Sequence, residues 1–345
     1  MSHKQVHIVV LRFSAMGDVA MTIPVLKALL EQHPYIKITV VSKPFFEPLF
    51  KEIPRVQFLK ADVKNEYKGF LGLRRLSKTI VSLKPDAVAD LHHVLRSNVV
   101  LRFLKLKGFK GEQIDKGRAE KKALTKAEKK TLRVLKSTHQ RYADVFEQLG
   151  FKIDLNLAKP LQKPLPTASV VRLTNKNSLK KIGIAPFAAH LGKQYPISKM
   201  EEVIQDLSKK YHVLLFGGGD KEKRQLEAIA ATNNNVSTVV GVLPFEEEIN
   251  LIAQLDVMVA MDSGNGHLAA NYGVPVITIW GVTHPYAGFK PYFQSDENQL
   301  IPDLKKFPLI PTSIYGNKYP EGYLSCFDTI NPKDIIDKIE KSIPN

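Results

Sequence analysis

Short apolar runs rich in Val, Ile and Leu recur along this chain, each followed by a stretch with helical spacing. Residues 6–13, 37–41, 56–59 and 87–91 are such runs. They suit strands buried on both faces. After the first, residues 19–32 set Ile23, Leu26, Leu29 and Leu30 along one helical stripe. Strand alternating with helix builds a parallel sheet. The order restarts in the second half, with strands at 181–186, 212–216, 236–239, 257–260 and 274–279. Helices are expected at 200–210, 221–231 and 245–254, and another between the last two strands. A chain of 345 residues exceeds what one core usually serves, so two α/β lobes follow.

Between the halves, residues 105–150 turn helical and basic, with Leu132, Leu135, Tyr142, Val145, Phe146 and Leu149 as an apolar stripe. Pro160, Pro164 and Pro166 then forbid a helix or a central strand and mark the approach to a linker. The expected lobes are residues 1–165 and 178–330. Residues 331–345 are expected as a closing helix that packs back on the N-terminal lobe. Residues 283–329 lack periodicity and are long for a loop, which points either to a functional segment or to structure that the pattern does not reveal.

Formal charge is +16, from 50 Lys and Arg against 34 Asp and Glu. Residues 105–141 alone hold 13 cations and 4 acids. This run reads either as a solvated basic face or as a surface for an anionic partner. A single cysteine, Cys326, excludes an internal disulfide framework and a thiolate metal site. The first apolar run is too short for a signal peptide, and no stretch reaches the length of a spanning helix. A cytoplasmic protein is therefore expected.

Three loops that follow strands carry residues suited to chemistry, at the strand ends where open α/β sheets bind ligands. In Arg12-Phe13-Ser14-Ala15-Met16-Gly17-Asp18, Gly17 permits a tight turn, and Asp18 is either a helix cap or a carboxylate base. In Asp262-Ser263-Gly264-Asn265-Gly266-His267, free backbone N–H groups at a helix start make an anion site suited to a pyrophosphate. Asp262 orients that loop or meets a hydroxyl. His267 donates to a phosphate or packs as a helix histidine. Lys193, after Gly192, is a surface lysine or a counter-charge to a departing diphosphate. A fourth loop, Phe216-Gly217-Gly218-Gly219-Asp220-Lys221-Glu222, lets a ligand approach closely, and its acidic residues suit a ribose hydroxyl. It lacks both the dinucleotide spacing and a P-loop. No D-x-D, H-E-x-x-H or C-x-x-C occurs, so no metal and no cofactor are expected.

On these residues the chain resembles the bacterial heptosyltransferases of lipopolysaccharide core synthesis, glycosyltransferase family 9. The resemblance rests on R-x-S-x-x-G-D ending at Asp18, on Lys193-Gln194-Tyr195-Pro196, and on Phe216-Gly217-Gly218. Its most specific part is Asp262-Ser263-Gly264-Asn265-Gly266-His267-Leu268-Ala269-Ala270, followed by Gly273-Val274-Pro275-Val276 and Trp280-Gly281. Tyr195 stands where the family usually has Trp, and His190 where small hydroxyl residues are common. The resemblance implies a GT-B fold: two Rossmann-like lobes with parallel sheets facing an interdomain cleft. It implies inverting, metal-independent transfer from a nucleotide-sugar donor, ADP-heptose, to an anionic glycolipid acceptor. Asp18 then matches the catalytic carboxylate and Lys193 the phosphate-binding lysine. Ser263, Gly264 and His267 match the diphosphate loop, which Asn265 and Gly266 complete. Gly217, Gly218, Glu222 and Asp262 fall to the donor's nucleotide and sugar; Ser14, Gly17, His92 and Arg96 fall to the acceptor. The basic run would hold the acceptor at the inner membrane surface, where peripheral association is expected, and nucleic acid is not an expected partner. Two other readings are a sugar-nucleotide epimerase of the same fold and a non-catalytic basic anion-binding protein.

Overall fold

The computed structural model describes residues 4–128, 130–174 and 178–343. The chain divides into two compact units. The first holds β1 (Val6–Leu11), α1 (Met16–Ala20), α2 (Thr22–Gln32), β2 (Ile36–Ser42), β3 (Val56–Lys60), α3 (Gly69–Ser82), β4 (Ala87–Asp90), α4 (Leu95–Leu106) and β5 (Lys110–Gln113). The chain then contributes α5 (Arg118–Leu124) to the second unit and returns to the first with α6 (Thr138–Gln148). The rest of the second unit is α7 (Ala168–Thr174), β6 (Lys181–Ala185), α8 (Ile197–Leu207), β7 (His212–Leu215), α9 (Gly219–Ala231), β8 (Val236–Thr238), α10 (Phe245–Ala253), β9 (Val257–Met261), α11 (Gly264–Asn271), β10 (Val276–Ile279), β11 (Gln299–Leu300) and α12 (Pro332–Ser342).

Both sheets are parallel. The first runs β3-β2-β1-β4-β5 and the second β11-β10-β9-β6-β7-β8. In each, strand order reverses beside the unit's opening strand, between β1 and β4 and between β6 and β9. Such a switch point opens a crevice at the carboxyl ends of the strands. The central strands are apolar, as buried parallel strands are: Val9, Leu11 and Val88 are wholly buried in the first unit, and Ile182, Ile184, Val257 and Val259 in the second.

Three placements differ from the sequence reading. Residues 118–135 belong to the second unit, not to a continuous lobe of residues 1–165. There Leu124 and Leu135 bury against Ala287, Leu135 N donates to Tyr286 O at 2.9 Å, and Lys130 Nζ donates to the carbonyls of Leu309 and Pro311 at 2.7 and 3.0 Å. The basic run is thus split between the units, and one of its lysines, Lys129, lies outside the described residues. Secondly, α12 belongs to the second unit, where it packs on α8 with Ile335 and Ile339 in that unit's core. Pro344 and Asn345 lie outside the described residues. Thirdly, residues 283–329 are not one open loop. They form 3-10 turns and β11, and Ile310, Cys326 and Phe327 enter the second core. Burial pushes the Cys326 thiol up to about 12, so it stays protonated and unreactive.

Candidate active site

Each unit presents its own constellation at its switch point. In the first, the loop leaving β1 carries Arg12 to Asp18, and the loop leaving β4 carries Leu91 to His93. Arg12 is 5% exposed. It donates to Leu91 O at 2.7 Å, pairs with Asp18 Oδ2 at 2.5 Å, and lies 5.8 Å from the Tyr142 ring centroid. Burial opposes its charge, but Tyr142 and Asp18 outweigh that and strengthen it. Asp18 is not the N-cap itself but the third residue of α1, where its carboxylate makes a capping-box bond. Ala15 occupies the cap, and Asp18 sits in the first turn of α1, where Oδ2 also accepts from Ala15 N at 3.4 Å. Tyr142 donates to Asp18 O at 3.2 Å. The carboxylate is therefore held by two groups, and the Asp18 backbone by a third, while the side chain keeps 32% exposure.

Gly17 does not make the expected tight turn, because it lies inside α1. His92 is buried, accepts from Phe13 N at 3.3 Å through Nδ1, and packs edge-on against Phe13. Burial and then the Arg12 charge push its imidazole down to about 3, so it is neutral at physiological pH. Asp90 is wholly buried and accepts from His92 N and His93 N at 2.9 and 3.0 Å, which shapes the β4 loop. Ser14 is half-buried beside Asp18, and Arg96 is exposed in the first turn of α4. Arg12 and Tyr142 are the residues that sequence reasoning passed over. Arg12 was visible in R-x-S-x-x-G-D; Tyr142 was hidden in an apolar stripe.

In the second unit, the loops leaving β9, β6 and β7 emerge side by side in that order. Lys193 Nζ pairs with Asp262 Oδ2 at 2.7 Å and donates to Asp262 O at 3.3 Å. Both side chains are largely buried, at 15% and 7% exposure. An ammonium has three donors, so one remains for a ligand. Ser263 caps α11 in extended conformation without a side-chain bond, and its Oγ is buried with no partner. The first N–H groups of α11, from Gly264 to Gly266, have no carbonyl within the helix to receive them. His267 follows in the same turn, 6% exposed. Together these form an anion cradle: partial positive charge at a helix start, an ammonium alongside, and a hydroxyl.

The lysine turn is held by close backbone packing. A Cβ on Gly192 would collide with Gly316 O and the Val282 side chain, and Gly316 sits at φ +76° against the Lys193 stem. Val282 N donates to Gly192 O at 2.8 Å. Tyr195 is wholly buried, and its hydroxyl donates to Ile330 O at 2.7 Å. On the neighbouring loop, Gly217 and Gly218 carry Glu222 folded back, its Oε2 accepting from Gly218 N at 2.7 Å. Asp262 is occupied in holding Lys193, and Glu222 in closing the glycine loop.

The sequence profile of glycosyltransferase family 9 (heptosyltransferase) matches residues 73–308, which include the whole cradle. The chain belongs to glycosyltransferase family 9. It is 25% identical to lipopolysaccharide heptosyltransferase 1 of Campylobacter coli, over 97% of this chain and 98% of that one. Among solved structures, the Escherichia coli ADP-heptose lipopolysaccharide heptosyltransferase II superposes with a TM-score of 0.69 at 20% identity, covering 97% of this chain and 98% of that chain. An E. coli heptosyltransferase solved with ADP superposes at 0.67 and 18% identity, covering 97% and 99%. The two parallel sheets are therefore the GT-B fold of these family 9 enzymes, and the protein is a glycosyltransferase of heptosyltransferase type.

Proposed function

We propose that this chain transfers heptose from ADP-heptose to a lipopolysaccharide core or lipid A-type acceptor, with inversion and without a metal. The observation that carries the reading is the anion cradle of the second unit, where Lys193 stands beside the start of α11. A diphosphate leaving group gains negative charge as its bond to the sugar breaks. An oriented ammonium and unspent N–H groups stabilise that charge with no reorganisation at the moment of reaction. Asp262 keeps Lys193 in place, and Ser263 and His267 supply further polar contacts. That E. coli relatives are solved with ADP and with an ADP-heptose analogue supports the choice of donor.

In the first unit, Asp18 accepts the proton of the acceptor hydroxyl as its oxygen attacks the anomeric carbon. Arg12, paired with it at 2.5 Å, orients the carboxylate. His92, Ser14 and Arg96 border the same loops and bind the acceptor. A lipid-borne acceptor requires work at a membrane surface; among the described residues no helix is long and apolar enough to cross one. Asp18→Asn preserves shape but cannot accept the proton. It should retain ADP affinity within about twofold and lower transfer by at least about a hundredfold, measured by calorimetric titration beside a radiolabelled transfer assay. Transfer at the wild-type rate would remove Asp18 from the mechanism.

A further inference from the structure

We propose that the outer face of α3 and α4 docks on an anionic lipid bilayer. This deepens the reading of a membrane-borne acceptor, on which its consequence for catalysis rests; binding itself does not depend on it. The inner faces of the two helices are ordinary core, with Leu73, Leu76, Ile80, Val100, Leu101 and Leu104 buried. The outer faces break the usual pattern. Phe70, Leu71 and Leu106 are 64%, 75% and 83% exposed. The Phe70 and Phe103 rings meet at a tilt of 57° with centroids 5.2 Å apart, so the start of one helix and the end of the other share one apolar patch. Helical spacing sets Arg74 and Lys78 in line with Phe70, and Arg102 beside Leu106, all exposed.

Charge decides the occupant. Between residues 67 and 111 the chain carries ten Lys and Arg and two Asp. Of the acids, Asp90 is wholly buried and Asp86 accepts from His7 N at 2.8 Å. A second copy of the chain would bring the same cations to the same face and be repelled. A soluble polyanion would satisfy the cations and leave the phenylalanine and leucine tips in water. A bilayer with anionic headgroups satisfies both, taking the apolar tips below the headgroups and the cations at their level.

The test is co-sedimentation of the full chain with vesicles of phosphatidylcholine alone or mixed with phosphatidylglycerol, at low and high salt. Wild type should pellet with the mixed vesicles and release as salt rises. Phe70→Ser/Leu71→Ser/Leu106→Ser should weaken that partition about tenfold or more, and so should Arg74→Glu/Lys78→Glu/Arg102→Glu. Because these positions are exposed, melting temperature and turnover of a lipid-free acceptor fragment should not change. Lys121→Glu/Lys122→Glu on α5 should bind as wild type. Failure of wild type to bind mixed vesicles would overturn the proposal. So would apolar variants that bind undiminished, which would leave only a polyanion site, or concentration-dependent dimers that those variants abolish.

Discussion

At the scale of single residues, the site shows charged groups holding one another before any ligand arrives. Lys193 cannot wander as a surface lysine would, because Asp262 binds it twice and Gly316 walls its stem. Asp18 is likewise held by a guanidinium that is itself buried. The same logic runs in reverse at Glu248 in α10, where no partner among the described residues offsets burial and the carboxyl is pushed up to about 7 from its ordinary 4.5. The unfolded chain then ionises before the folded one. Stability is full below about pH 4.5 and falls progressively as pH rises towards 7. Glu248→Gln should therefore be more stable than wild type by about 1–3 kcal/mol near pH 8 and equal to it near pH 4, as read from urea melts at the two pH values. Equal stability of the two proteins at both would contradict the burial argument.

Among the elements, residues 118–135 are the least expected feature. The segment leaves the first unit after β5 and is pinned to the second by a small apolar cluster, two lysine-to-carbonyl bonds, and Lys121 over the Phe289 ring at 4.2 Å. Burial lowers the Lys130 ammonium to about 8. Leu124 is the more buried of the segment's two cluster leucines, so Leu124→Ala should loosen the segment at a cost of about 2 kcal/mol. Limited trypsin digestion should then cut after Arg118, Lys121, Lys122 or Lys126 several-fold faster than in wild type. An unchanged cleavage rate would show that the lysine bonds alone hold it. Sequence reasoning also missed β5 and β11. Lys110–Gln113 contains no apolar residue, and Gln299–Leu300 is two residues long, so neither leaves a periodic signal.

Over the whole molecule, each unit has an apolar core of its own, and the anion cradle lies wholly in the second. Ligand binding stabilises only the part that binds. ADP at about a hundredfold excess over its dissociation constant should add about 2.7 kcal/mol to the second unit. Calorimetry should show that unit's transition moving upward while the other stays. A single transition that shifts as one would mean that the units unfold together. The Asp18, Lys193 and 262–267 loops were legible in the chain because a parallel sheet collects its ligand-binding groups just beyond its strands. Strand and helix order were legible too, since buried strands leave unbroken apolar runs. Local composition suffices for both. What composition does not carry is partnership at long range. The Lys193–Asp262 pair joins positions 69 residues apart, and Lys130 meets carbonyls 179 and 181 residues away. Tertiary structure alone decided those, and with them which carboxylate orients a cation, where the basic segment docks, and which core receives α12.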